Sequence, residues 1–152
     1  MQTIKYQHES LESLSKKGTC IEFFSAYQDL DIERMLKLFS PNGTVEFEPF
    51  GDDGRGKVHE TGAAIWTALM DAFPDLDNTI QSQQYDEATN AVICKVVIFG
   101  TQEKDFAGIK TNGLRSDSDH IFIFRFDDKS KIDKITIQWN HESFVRQLTG
   151  EH

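Results

Sequence analysis

The chain of 152 residues holds only two cysteines, Cys20 and Cys94, with no Cys-x-x-Cys spacing. A zinc site or redox motif therefore lacks its ligands, and both thiols read as buried members of apolar patterns. Basic residues are scarce as well: 16 Lys and Arg stand against 25 Asp and Glu, for a formal net charge of −9. Phosphate backbones repel such a surface, and no basic cluster exceeds Lys16-Lys17, so nucleic acid is excluded as a partner. No run reaches the roughly 18 apolar residues of a membrane span. The polar opening MQTIKYQHESLESLSKK has no apolar signal core. The expectation is a soluble cytoplasmic protein with no membrane contact. Gly-x-Ser-x-Gly and a glycine-rich phosphate loop are missing. His59, Glu60, His141 and Glu142 have no His-Glu-x-x-His or His-x-x-x-His partner, so no metal is expected, and no cofactor motif is present. There are no repeats and no linker, which makes residues 1–152 one domain with one core.

Phenylalanine is the residue in excess, with twelve copies. That implies a large aromatic core or an apolar cavity, and composition does not choose between them. Helical periodicity runs from about Ser10 to Gln28, with Cys20, Phe23, Phe24 and Tyr27 on one face. "DLDIERMLKLFSPNG" predicts a second helix with the stripe Ile32, Met35, Leu36, Phe39, stopped by Ser40-Pro41-Asn42-Gly43. Thr44 to Phe50 reads as a short strand. A third helix, with Thr61 as N-cap, turns Ile65, Trp66, Leu69, Met70 and Phe73 inward and ends before Pro74. Four strands follow: Thr79–Tyr85, Ala91–Gln102, Leu114–Phe126 and Lys131–Asn140. A helix over Glu142–Leu148 closes the chain. Helices first and a long antiparallel meander after them is an α+β order. A curved sheet wrapped on those helices makes a cone, and an apolar cone is a natural ligand cavity.

Five stretches carry a resemblance. They are "AFPDL" (Ala72–Leu76), "GTQEKDFAGIKTNG" (Gly100–Gly113), "FRFDD…KI" (Phe124–Ile132), "WN" (Trp139-Asn140) and "RQLTG" (Arg146–Gly150). In this order and spacing the chain, from about Ile21 to Gly150, resembles the SnoaL-like polyketide cyclase family of the NTF2-like and ketosteroid-isomerase-like superfamily. The resemblance implies an NTF2-like conical barrel, its strongly curved antiparallel sheet wrapped around helices with an internal pocket. It also implies a homodimer through the outer sheet face and a small apolar ligand. The Gly100–Gly113 connection, too long for a tight hairpin, would lie over the pocket mouth.

Catalytic relatives place an acid or base against an enol or enolate. Glu48, in Glu48-Pro49-Phe50-Gly51, stands where the isomerase base stands. Strand alternation puts Val45 and Phe47 on one face and Glu46 and Glu48 on the other. Glu48 therefore faces inward only if the strand bulges near Pro49, and is otherwise a solvated carboxylate. Counting back from Arg125 puts Phe122 in the place of the family's acid. His120, two residues earlier on the same face, is the candidate substitute; the alternative is a structural histidine at a strand end. Gln102 replaces the loop histidine and can orient a carbonyl without titrating. Tyr27 either supplies a hydroxyl or fills the core. Phe23, Phe47, Trp66, Phe99, Phe106, Phe122, Phe124 and Trp139 either line a cavity or fill it. Three functions follow: a cofactor-independent cyclase or isomerase with Glu48 and His120 as its proton carriers, a binding protein without turnover, or a filled dimerisation module.

Overall fold

The computed structural model describes residues 9–151. Ser10 opens the first helix, α1 (Leu11–Gln28), by accepting the Ser13 N–H at 3.0 Å. This satisfies one of the free donors at a helix start. Cys20, Phe23, Phe24, Ala26 and Tyr27 form its buried face, and α1 packs on the sheet at β3 (Asp77–Asp86) and β4 (Ala91–Thr101). Both cysteines are free and buried.

The second helix is shorter than its pattern implies. α2 (Ile32–Leu36) has one turn and a little more, capped by Asp31, and Phe39 already belongs to strand β1 (Phe39–Phe47). Pro41-Asn42-Gly43, which read as a helix stop, is an irregularity inside that strand: the pairing slips between Phe39 and Thr44. Proline and glycine tolerate a strand where its ladder is broken. A 3₁₀ segment (Glu48–Gly54), the short strand β2 (Arg55–Lys57) and a π turn (Val58–Gly62) lead into α3 (Ala63–Ala72). Gly56 lets this connection fold tightly, since a Cβ there would lie 2.1 Å from the Thr61 hydroxyl oxygen.

The strands β3 and β4, then β5 (Arg115–Phe126) and β6 (Ile132–Trp139), form an antiparallel meander. The sheet order is β2-β1-β6-β5-β4-β3. It is not antiparallel throughout, because β1 runs parallel to β6, with Val45 opposite Ile135 and Phe47 opposite Ile137. The meander brings the last strand back beside the first, so the sheet is mixed. A slip in the β3–β4 register between Ile80 and Ser82 adds local bend and twist. Asn140 caps α4 (His141–Thr149) through the Ser143 N–H, and Gly150 ends it in the left-handed conformation with φ 75°. No helix among the described residues is long and apolar enough to cross a membrane.

The inner face of the sheet and the helices enclose one aromatic core. Phe23 is its hub. Its ring centroid lies 5.1 Å from Phe24, 5.1 Å from Phe124 and 5.6 Å from Trp66. These edge-to-face contacts suit the ring quadrupoles.

Candidate functional site

Between this core and the Gly100–Gly113 connection lies a cavity. Its wall brings together Tyr27, Phe47, Trp66, Phe99, Phe106, His120, Phe122 and Trp139, all expected from the sequence, and adds Phe50, Phe73, Ser116, Ser118 and Phe144. The pleat of β5 explains the new serines. Alternate residues share a face, so the parity that turns His120 and Phe122 inward also turns Ser116 and Ser118 inward.

The cavity has a volume of about 40 Å³. That is room for about three water molecules, well below the roughly 300–1,000 Å³ of a drug-sized site. Outside it lies an open vestibule of about 530 Å³, lined by Phe50, Ile65 and Phe106, which also border the inner cavity, and by Asp53, Asp105 and His141. The rings of Phe50 and Phe106, 6.4 Å apart, stand between the two spaces.

Phe106 is held by the architecture of the connection. Phe106 and Ile109 exchange backbone hydrogen bonds of 3.0 and 2.8 Å around Ala107-Gly108. Both turn residues have positive φ, 50° and 78°, the backbone of a tight two-residue hairpin. This tip presses Phe106 and Ile109 inward, where both are buried. Its base is closed by Gln102, whose N–H donates to the Leu114 carbonyl at 2.9 Å and whose side-chain amide donates to the Ile109 carbonyl at 2.8 Å. Gln102 is fully buried beneath the loop and is not part of the cavity wall, contrary to the substrate-orienting place expected for it. Its Oε1 has no partner among the described residues.

Two other expectations are corrected. Glu48 is exposed and accepts the Gln138 amide at 3.1 Å, away from the cavity. The pleat carries Val45 and Phe47 inward without a bulge, and the chain turns into the 3₁₀ segment at Glu48 itself. Phe124 does not line the cavity either; it lies in solid core against Phe23 and Phe24.

His120 is the titratable side chain of the cavity wall with basic character. Its Nδ1 lies 2.9 Å from the Ser118 carbonyl. A carbonyl only accepts, so Nδ1 carries the hydrogen and Nε2 is left as an acceptor. Its ring is stacked between Phe122 and Trp139, at centroid distances of 5.9 and 5.4 Å. Burial among these rings pushes its pKa down to about 4, outweighing the Ser118 carbonyl and the Asp119 charge. The ring is therefore neutral at pH 7. Burial pushes the Tyr27 phenol up, so it stays a protonated donor. Ser118 is 7% exposed, yet its Oγ has no partner among the described residues. Leaving a buried hydroxyl unpaired costs about 1–3 kcal/mol. At the mouth, the Trp139 indole donates to His141 Nδ1 at 3.2 Å, and burial lowers the His141 pKa. Among the described residues no cluster of His, Cys, Asp or Glu has the makings of a metal site.

Comparison with known proteins agrees with this architecture. A provisionally named SnoaL-like polyketide cyclase from Jannaschia sp. CCS1 superposes with a TM-score of 0.83 at 14% identity, over 95% of this chain and 98% of that one. AclR of Streptomyces galilaeus, provisionally described as a hydroxylase, gives 0.78 at 21% identity over 91% and 98%. IdmH of Streptomyces antibioticus, provisionally described as a polyketide cyclase, gives 0.73 at 20% identity over 88% and 98%. At these identities the likeness is one of fold. No curated protein sequence matches the chain significantly. The family model for SnoaL-like polyketide cyclases matches residues 19–148, most of the chain, and the protein belongs to that family.

Proposed function

We propose that the cone, joined to its vestibule when the Phe50 and Phe106 rings part, binds a small apolar carbonyl compound and that His120 handles its proton, making the protein a cofactor-independent cyclase or isomerase. The observation that supports this reading is the His120 ring itself: a neutral imidazole in an aromatic wall, its Nδ1–H spent on the Ser118 carbonyl and its Nε2 lone pair unclaimed by any donor among the described residues. A C–H bond next to the ligand carbonyl breaks. Its proton passes to Nε2, and its electron pair moves onto the oxygen as an enolate. The enolate then takes the proton back at another carbon, or attacks a second carbonyl. A pKa of about 4 makes His120 a weak base, which suits substrates whose C–H is already acidic, such as 1,3-diketones. The imidazolium formed in an apolar wall gives its proton back readily.

The second reading is a binding protein without turnover. It is favoured by Phe122, which occupies the place the resemblance gives to the acid, and by a cavity wall that holds no carboxylate among the described residues. Proton exchange separates the two. A bound 1,3-diketone in deuterated buffer should exchange its central C–H faster with wild-type protein than with His120→Gln. Equal rates, both at the uncatalysed level, would leave only binding.

The same reading includes a homodimer. Ile121 and Ile123 lie on the outer sheet face, half-buried in the single chain, and such a face is suited to pairing. Light scattering at micromolar concentration tests it, a monomer being the result against it.

A further inference from the structure

Among the described residues the cavity wall contains no lysine, arginine, aspartate or glutamate. Its polar atoms are concentrated on β5. Ser116, Ser118 and His120 succeed one another on its inner face, and every other side of the cavity is aromatic or aliphatic except for the Tyr27 hydroxyl. Two of these groups have hydrogen-bonding capacity that the protein does not use. His120 Nε2 accepts and does not donate, because Nδ1 holds the ring hydrogen against the Ser118 carbonyl. Ser118 Oγ is buried without a partner among the described residues. A ligand that satisfies both brings a hydroxyl hydrogen to Nε2 and an oxygen to the Ser118 hydroxyl. A ligand that arrives already as an anion fits poorly. It meets a lone pair at the neutral Nε2, finds no cation among the described residues of the wall, and enters a protein of net charge −9.

We propose that Ser118 and His120 form a recognition edge that selects neutral, hydroxyl-bearing ligands, phenols or enols, over the corresponding carboxylates. Ser118 is the specificity-determining residue of that edge. Its hydroxyl has no partner among the described residues of the empty protein, and a ligand oxygen seated against β5 would supply one. This rests on the reading of the cone as a small-molecule pocket.

Three probes of one shape test it: 4-methylphenol, 4-methylbenzoate and toluene, titrated by NMR at pH 7 against wild type and Ser118→Ala. Wild type should bind the phenol about tenfold or more tighter than the carboxylate and about fivefold tighter than toluene. Ser118→Ala should lose most of the preference for phenol over toluene and leave toluene affinity unchanged. It should also raise the melting temperature of the ligand-free protein, because an orphan hydroxyl has gone. A residue with a structural role alone would not move stability and phenol affinity in opposite directions. Toluene binding with no preference for the phenol, or a preference that survives in Ser118→Ala, overturns the recognition edge and leaves the pocket standing. If none of the three binds, the pocket reading fails and the edge with it.

Discussion

The imidazole of His120 lies against the indole of Trp139, ring centroids 5.4 Å apart and planes 21° from parallel. Because β5 and β6 place these residues directly opposite each other, the stack is built into the sheet and leaves the ring half-buried. Charging it requires desolvation that the Ser118 carbonyl and the Asp119 charge offset only in part.

Stability should therefore depend on the protonation of His120. Its folded pKa of about 4 is below its ordinary value of 6.5, so on acidification the unfolded chain takes up the proton first. Its contribution is complete above pH 6.5 and is lost progressively toward pH 4. The full shift corresponds to roughly 3 kcal/mol. Urea unfolding of wild type and His120→Gln at pH 7 and pH 4.5 should show the wild type losing about 2 kcal/mol more than the variant over that interval. Parallel losses would mean that burial does not hold the His120 pKa down.

Glu48→Gln should change little. The side chain is exposed and makes one hydrogen bond, to Gln138, so stability should stay within about 0.5 kcal/mol of wild type. Diketone exchange should remain within about twofold, against a loss of roughly 10²-fold or more for His120→Gln if that residue is the base. A large loss in Glu48→Gln would return the carboxylate to the chemistry.

Phe122→Ala should be costly and informative. The ring is buried 4.9 Å from Phe24 and forms part of the cavity wall. Truncation should destabilise by about 3–5 kcal/mol while enlarging the cavity. Chemical denaturation gives the cost. A gain in affinity for a two-ring ligand such as 2-naphthol over 4-methylphenol would show that Phe122 sets the ligand size.

Ala107→Asn should stabilise. Ala107 is held at φ 50° beside Gly108 at 78°, and an alanine in the left-handed region costs about 1 kcal/mol or more. Asn-Gly is the preferred pair for this turn. For a chain of this size about 1 kcal/mol raises the melting temperature by roughly 2–4 °C, readable by calorimetry.

The sequence carried the fold where periodicity was strong. Alternation through Ile121, Phe122, Ile123 and Phe124 set the faces of β5, and helical spacing through Cys20, Phe23 and Tyr27 set the face of α1. It failed where a local pattern had two structural uses. Phe39 fits a helical stripe and the first position of a strand equally well, and its pairing with β6 is not a local property. The same limit applies to the site. Parity turns Phe122 and Phe124 inward alike and both meet Phe23, yet only Phe122 also borders the cavity, a difference that packing and not pattern decides. Ser116 and Ser118 were within reach of the parity that found His120, but small hydroxyls give no hydrophobic signal. Gln102 aligned with a ligand-facing histidine, whereas its amide holds the loop that covers the cavity.

The parallel pairing of β1 with β6 also has a kinetic meaning. The hairpins from β3 to β6 join neighbours in the chain and can form early, whereas Val45 meets Ile135 only after nearly the whole sequence is available. Closing so long a loop is slow, because its entropy is lost before the contact is gained. On the ribosome, β1 emerges long before its partner and must wait with an open edge. The last strand thus completes the molecule twice: it gives the first strand a neighbour, and it sets Trp139 beside His120, so that the cavity wall is finished in the same step as the sheet.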